Sequence, residues 1–147
     1  MEPAPLRSEF TVRPGVDVLW IAELDRLCGR PWFLRFAYSS AERDLADAVG
    51  PERRREFLAG RFAAKEAVAK ALGHGFGRGL APRHIEIGRS AEGRPTVRLL
   101  GPAAEHAASA GIDGVAVSIS HKNGVAVAVA IAHPRLEQVP PVLARSE

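Results

Sequence analysis

The segment from Pro51 to Leu72 constrains the fold most, because it carries the clearest helical pattern in the chain. Gly50-Pro51 opens it, and Gly73 follows it as the expected residue after a helix C-terminus. At about 100° per residue, small and apolar side chains gather on one arc and charged side chains on the opposite arc. The apolar arc, predicted to face the core, comprises Ala63, Ala64, Ala67, Val68, Ala71 and Leu72. The opposite arc comprises Arg61, Phe62, Lys65, Glu66 and Lys70.

Shorter elements are predicted on both sides of this helix. Alternating apolar residues predict strands, and runs bounded by glycine predict helices. Ser40 is the candidate N-cap of the helix before Gly50. In chain order, we predict a strand from Gly15 that leads into a helix ending at Leu27, a helix over 41–50, strands over 84–88 and 96–100, a helix over 103–110, and a hairpin of strands 115–120 and 125–132.

Length and composition fit one globular domain: 147 residues, 46% hydrophobic and 25% charged. We predict a domain over 14–133, with loose tails over 1–13 and 134–147. The net charge of +3 suits an anionic ligand or an acidic partner, and equally an ordinary soluble surface. The arginines are spread along the chain, unlike the basic block of a nucleic-acid tail.

Cys28 is the only cysteine, which excludes an intramolecular disulfide framework and a multi-cysteine zinc site. We therefore expect a cytoplasmic protein. The first ten residues lack the apolar stretch of a signal peptide. The most apolar segment, 115–132, alternates and is interrupted by a polar turn, which favours strands over a membrane helix.

Lys70 lies one turn after Glu66 and one turn before a glycine-rich loop, Gly73-His-Gly-Phe-Gly-Arg-Gly. Backbone without side chains can approach a phosphate closely, so this loop is a candidate phosphate site. It lacks the Gly-Lys-Ser/Thr of a P-loop. An ordinary turn after a solvated Glu66–Lys70 ion pair is the alternative.

Asp17 lies in apolar sequence, where a carboxylate needs a cation, a hydrogen-bond donor or exposure. Asp17 and Glu66, together with phosphate oxygens and water, would form the oxygen set that Mg²⁺ prefers. A helix N-cap is the alternative for Asp17. His121, at the predicted hairpin tip, could donate to a phosphate or simply be exposed. The remaining histidines lack zinc-site spacing and are predicted to be surface residues: His74, His84, His106 and His133.

Three segments together resemble the signatures of the holo-acyl-carrier-protein synthase family of 4′-phosphopantetheinyl transferases. They are Gly15-Val-Asp-Val, Arg61-Phe-Ala-Ala-Lys-Glu-Ala-Val-Ala-Lys-Ala and Val117-Ser-Ile-Ser-His, and the resemblance extends over 15–132. It implies an α+β fold, with a small antiparallel sheet on a long helix, assembled as a homotrimer with coenzyme A bound between subunits. The implied reaction transfers 4′-phosphopantetheine from coenzyme A to a carrier-protein serine with Mg²⁺ and releases 3′,5′-ADP.

The same resemblance implies roles for individual residues. Asp17 and Glu66 would bind Mg²⁺, and together with Lys70 they form the implied catalytic set, in which Glu66 or a metal-held water is the base. Coenzyme A would contact Arg61, Phe62, Lys65, Lys70, Gly73, Gly75, Gly77, Arg94, Pro95 and His121.

An acidic carrier-protein helix would contact Arg26, Arg30 and Arg35. The family usually has an arginine near the position of Glu23, so either a short insertion displaces Arg26 or Glu23 replaces that arginine. This leaves the carrier open among fatty-acid, polyketide and peptide synthesis. A non-catalytic module that binds coenzyme A and a carrier protein is the alternative function, and the intact acidic pair argues against it. An RNA-binding surface is disfavoured because no RNP-like motif is present.

Overall fold

Helix α4, Pro51–Leu72, begins and ends where the sequence predicts. Gly73 adopts the left-handed conformation with φ of 73°, and the amides of Gly73 and His74 donate to the carbonyls of Lys70 and Ala69. All six residues of the predicted apolar arc are buried. The long helix is therefore confirmed, and it forms the centre of the domain.

The computed structural model describes residues 12–135, so most of both predicted tails lies outside the described residues. The remaining elements surround α4. They are β1 (Arg13–Trp20), α1 (Ile21–Cys28), α2 (Pro31–Ala37), α3 (Ser40–Asp47), β2 (Ile85–Arg89), β3 (Pro95–Leu99), α5 (Pro102–Ser109), β4 (Ile112–Lys122) and β5 (Val125–Pro134).

Two of the local predictions need correction. Helix α2 was not predicted, although Phe33 and Ala37 bury one of its faces. The N-cap of α3 is Ser39 and not Ser40: Ser39 Oγ accepts from the amide of Glu42, and the Glu42 carboxylate accepts from the amide of Ser39. Glu42 thus belongs to a capping box.

The main sheet is antiparallel, with strand order β1-β5-β4, and a separate hairpin joins β2 to β3. This confirms an α+β fold with small antiparallel sheets. On the inner face of the main sheet, four buried alanines of β5 lie under α4: Ala126, Ala128, Ala130 and Ala132. Small side chains at these positions let the helix approach the sheet closely.

On the outer face of the main sheet, the part formed by β1 and β5 is apolar and largely exposed. Val16, Val18 and Trp20 of β1 are 56%, 64% and 59% exposed, and Val129 of β5 is 42% exposed. Each β1 residue is paired directly with a β5 valine, so these side chains form one continuous patch. Among residues 12–135, no helix combines the length and hydropathy that a membrane crossing requires.

Candidate functional site

Asp17 and Lys70 form an ion pair at the contact between β1 and α4. Lys70 Nζ donates to Asp17 Oδ1 at 3.0 Å and to the Val16 carbonyl at 2.8 Å. The Asp17 side chain is only 17% exposed and points from mid-strand toward the helix, so its alternative role as a helix N-cap is wrong. The expected Glu66–Lys70 ion pair does not form, because Lys70 turns toward Asp17.

Glu66 shares this environment with Asp17. Burial raises the pKa of the Glu66 carboxyl, the negative charge of Asp17 raises it further, and Lys70 opposes the shift. Two carboxylates that are distant in sequence therefore act on each other electrostatically, and the Lys70 ammonium acts on both.

Gly15 explains how β1 comes so near the helix. A Cβ at Gly15 would overlap the Ala67 carbonyl oxygen and lie 2.8 Å from the Ala71 amide nitrogen. Only glycine permits this backbone contact. Asp17, two residues along, lies on the same face of β1 and therefore reaches the last turns of α4.

The glycine-rich loop continues from this end of α4. Gly77 needs its glycine for a φ of 117°, whereas Gly75 has neither a positive φ nor any neighbour within 4 Å of an added Cβ. The packing of the described residues therefore does not require glycine at position 75, and the space beside it is free for a ligand. Arg13 Nη1 lies 4.0 Å from where a Cβ of Gly73 would be. Sequence reasoning missed this cation because it placed Arg13 in a tail.

A second feature is a cleft of about 680 Å³ on the other side of α4. It lies between α3, the N-terminal half of α4, the β2–β3 hairpin and β4. Its lining includes Arg53, Phe57, Arg61, Arg89, Pro95 and His121.

Arg61 gives this cleft its chemistry. The Arg61 guanidinium stacks on the Phe57 ring, 3.5 Å from the ring centroid, and Arg61 as a whole is only 6% exposed. Its Nε has no hydrogen-bond partner within residues 12–135. Burial lowers the Arg61 pKa to about 10. An unpaired buried N–H beside two further arginines, Arg53 and Arg89, makes the cleft a candidate site for an anionic group.

His121 faces this cleft, with Nδ1 3.7 Å from Glu56 Oε2. Pro95 also lines the cleft, and exposed Arg94 precedes it in the β2–β3 turn. These residues are therefore near the cleft that is the candidate site for an anionic group, but they are not beside Asp17.

Two predicted coenzyme A contacts lie elsewhere. Lys65 is fully buried, and its Nζ donates to Glu42 Oε1 and the Ile85 carbonyl, both at 2.6 Å, and to the Pro82 carbonyl at 3.3 Å. Phe62 packs its ring against Phe33, with centroids 5.8 Å apart, and is absent from the cleft lining. Neither side chain lines the cleft, because α2, α3 and β2 cover this part of the charged arc.

The surface prediction also fails for two histidines. His106 is half-buried, and its Nε2 bonds the Leu72 carbonyl at 2.7 Å. His84 Nδ1 accepts from the Ala81 amide at 2.9 Å, and burial lowers the His84 pKa. Their sequence surroundings carry no signal for either contact.

The predicted site residues therefore form two groups on opposite flanks of α4. Asp17 and Ile119 both pair with Ala128, so they lie two strands apart on one row of the sheet, with α4 above the intervening strand. The first group is Asp17, Glu66, Lys70 and the loop from Gly73 to Gly77. The second group is Arg61, Pro95 and His121.

The predicted carrier contacts lie on α1, α2 and the turn between them. Arg26, Arg30 and Arg35 are exposed, and no carboxylate within residues 12–135 pairs with them. Exposed apolar residues occur on the same elements: Leu27, Trp32 and Phe36, at 41%, 54% and 41%. This surface therefore offers both cations and apolar area to a partner.

Comparison with known proteins gives consistent matches. The family model of the 4′-phosphopantetheinyl transferase superfamily matches residues 13–130. The holo-acyl-carrier-protein synthase of Desulfovibrio desulfuricans is 38% identical over 120 residues, which cover 80% of this chain and 93% of that protein. The synthase of Chloroflexus aurantiacus is 41% identical over 131 residues, covering 80% and 95%. A crystal structure of the Bacillus anthracis synthase in complex with CoA (3′,5′-ADP) superposes with a TM-score of 0.71 at 29% identity, covering 85% of this chain and 98% of that chain.

Proposed function

We propose that this chain, which belongs to the 4′-phosphopantetheinyl transferase superfamily and is an enzyme of the holo-acyl-carrier-protein synthase type, transfers 4′-phosphopantetheine from coenzyme A to a carrier-protein serine. The proposed reaction requires Mg²⁺ and releases 3′,5′-ADP. The observation that carries this proposal is the convergence of Asp17, Glu66 and Lys70 beside a glycine-rich loop. A non-catalytic binding module would not need two partly buried carboxylates that repel each other.

The donor set fits Mg²⁺. Within residues 12–135, no group of three or more His, Cys, Asp or Glu side chains is placed to hold a metal, so the oxygens of Asp17 and Glu66 would be completed by phosphate oxygens and water. Burial raises the pKa of Glu66 and the charge of Asp17 raises it further, and a divalent cation would relieve the repulsion between the two carboxylates. Bound Mg²⁺ would neutralise charge on the diphosphate of coenzyme A.

The protein's own residues account for the rest of the chemistry. The serine Oγ bonds to the β-phosphorus, and the bond from that phosphorus to the oxygen of the departing 3′,5′-ADP breaks. Lys70 can shift from Asp17 to the phosphates, because its side chain is 54% exposed, and there it would offset the added charge on the leaving group. The Glu66 carboxylate would accept the serine proton.

The cleft would hold the nucleotide end of coenzyme A. The unpaired Nε–H of Arg61, with Arg53 and Arg89 alongside, suits a phosphate monoester, and His121 at the mouth can donate a further hydrogen bond. The 680 Å³ volume is that of a small-molecule site.

One chain cannot bring its own cleft to its own Asp17, because α4 lies between them. A head-to-tail ring, in which the β4 flank of one copy meets the β1 flank of the next, would complete each site. The exposed apolar patch of Val16, Val18, Trp20 and Val129 supports such an association. We propose the homotrimer that the family resemblance implies.

The carrier protein would dock on the surface formed by α1 and α2. Arg26, Arg30 and Arg35 would attract an acidic helix, and exposed Trp32 and Phe36 would bury apolar residues of that helix. Glu23 on the same surface is exposed and acidic, so the carrier should tolerate one negative charge there. A cytoplasmic location stays a prediction, based on the single cysteine.

The direct test is to incubate the protein with coenzyme A, Mg²⁺ and a panel of apo-carrier proteins and to weigh each carrier by mass spectrometry. We expect one carrier to gain a single phosphopantetheine, with 3′,5′-ADP released in equal amount. Asp17→Ala should abolish the gain while coenzyme A still binds the cleft. If every carrier kept its apo mass, the proposed activity would be wrong.

The shared site has its own test. Mixtures of Asp17→Ala chains with His121→Ala chains, unfolded and refolded together, should recover part of the activity, because some interfaces then combine two intact halves. Mixtures of Asp17→Ala with Glu66→Ala chains are the matched control and should stay inactive, since both changes lie in the same half. Equal activity in the two mixtures would argue against a site between chains.

A further inference from the structure

Two histidines that the proposed chemistry does not use meet at the end of α4. His106 of α5 lies edge-to-face against His74, with ring centroids 4.9 Å apart and an interplanar angle of 76°. His74 is the first residue of the glycine-rich loop after Gly73. The contact therefore joins the C-terminal half of the chain to that loop.

Each histidine ring also forms a hydrogen bond to a backbone carbonyl. His106 Nε2 is 2.7 Å from the Leu72 carbonyl, and His74 Nδ1 is 2.6 Å from the Gly75 carbonyl. A carbonyl can only accept, so both ring nitrogens carry hydrogen and donate. The amides of Gly73 and His74 donate to the carbonyls of Lys70 and Ala69. His106 donates to the carbonyl of Leu72, the last residue of α4.

These contacts matter for the start of the loop, because its later part is held separately: Phe76 packs against the core, and Gly77 and Leu80 each donate from the amide to the other's carbonyl. Its glycines carry no side chains, and added Cβ atoms at Gly75, Gly77 and Gly79 would meet nothing within 4 Å. His106 is itself well anchored, since Ala103 and Ala107 of the same helix are buried. The two histidines and their carbonyl contacts, here called the brace, therefore tie the start of the loop, residues 73–75, to the core.

We propose that His106 and His74 are positioning residues that hold the glycine-rich loop and the last turn of α4 ready for the phosphates of coenzyme A. This proposal rests on the proposed function of the loop. It goes beyond the family signatures, in which neither histidine takes part.

The test compares His106→Phe, which keeps a ring but loses the N–H, with His106→Gln, which keeps a donor. His106→Phe should raise the KM for coenzyme A about fivefold, the ratio that corresponds to one ordinary hydrogen bond, and leave kcat within about twofold. It should also speed hydrogen exchange of the 73–75 amides by a similar factor in protein without coenzyme A. His106→Gln should restore both values to within about twofold of the original, and His133→Phe, a change at an exposed histidine of β5, should alter neither.

Loss of thermal stability in His106→Phe without any change in KM or loop exchange would overturn the proposal, and so would a His106→Gln variant no better than His106→Phe. If His106→Phe does not fold, His74→Phe supplies the same comparison at the Gly75 carbonyl. If the unaltered protein neither binds coenzyme A by calorimetry nor modifies any carrier, the proposed function fails, and the exchange rates alone decide whether the brace exists.

Discussion

Replacing Lys65 by methionine should destabilise the protein by about 3–5 kcal/mol, the range for removing one partner of a buried ion pair. The Lys65 and Glu42 side chains are 0% and 1% exposed, and Lys65 satisfies three acceptors. Without the ammonium, the Glu42 carboxylate keeps only the amides of Ser39 and Ile87, at 3.0 Å and 3.4 Å. A buried negative charge would remain, and the Pro82 and Ile85 carbonyls would each lose a charged donor.

The assay is urea unfolding at one fixed protein concentration, without magnesium or coenzyme A. The double variant Glu42→Gln with Lys65→Met should be more stable than Lys65→Met alone, because no unpaired charge is left inside. Lys70→Met is the matched control on the same helix; its ion pair is half exposed and should cost less than about 1 kcal/mol.

Coenzyme A binding separates a structural lysine from a ligand lysine. The double variant should retain the affinity for coenzyme A, whereas Lys70→Met should lose most of it. A Lys65→Met protein as stable as Lys70→Met, with coenzyme A binding lost, would refute the reasoning and return Lys65 to the phosphate site.

Three further changes test the β1–α4 contact, the acidic pair and the outer face. Gly15→Ala should cost about 1–3 kcal/mol in urea unfolding, because the added methyl overlaps the helix backbone; Gly50→Ala, which meets nothing, should cost little. The folded-state pKa of Glu66 is raised, so its contribution to stability is present below its ordinary pKa of 4.5 and is lost as pH rises through the folded value. Glu66→Gln should therefore gain stability relative to the original protein between pH 4.5 and 8 in metal-free buffer, and lose transfer; parallel pH curves would contradict this. Val18→Asp should dissociate the assembly to monomers in light scattering, because it charges the apolar patch.

Local patterns predicted the elements whose signals are local. Helix α4 has both caps and its apolar arc in one segment, and the β4–β5 hairpin has alternation around an Asn123-Gly124 turn. Helix α2 has Pro31 in its first turn but no apolar stripe at helical spacing, since its large apolar side chains are spread around the helix and only Arg35 is charged. Only Phe33 and Ala37 of that helix are buried, and contacts with distant residues decide which ones.

The candidate site was predictable to the extent that sequence spacing sets side-chain direction. Gly15 and Asp17 share a face of β1, and Glu66 and Lys70 share a flank of α4, so the acidic pair followed from pattern and resemblance. The helical projection could not distinguish Lys65 from Lys70, because it shows which way a side chain points and not what covers it. Glu42, which covers Lys65, lies 23 residues earlier along the chain.

The separation of the site into two halves follows from the width of a helix. Asp17 and Ile119 lie on one row, two strand spacings apart, which is about 9.6 Å. An α-helix with its side chains is about 10–12 Å across, so α4 fills that gap. Two glycines, Gly60 of α4 against Ile119 of β4 and Gly15 of β1 against Ala67 of α4, let the helix and the sheet pack closely. The cleft and the acidic pair consequently face outward in different directions, and the proposed head-to-tail ring would bring one to the other across neighbouring chains.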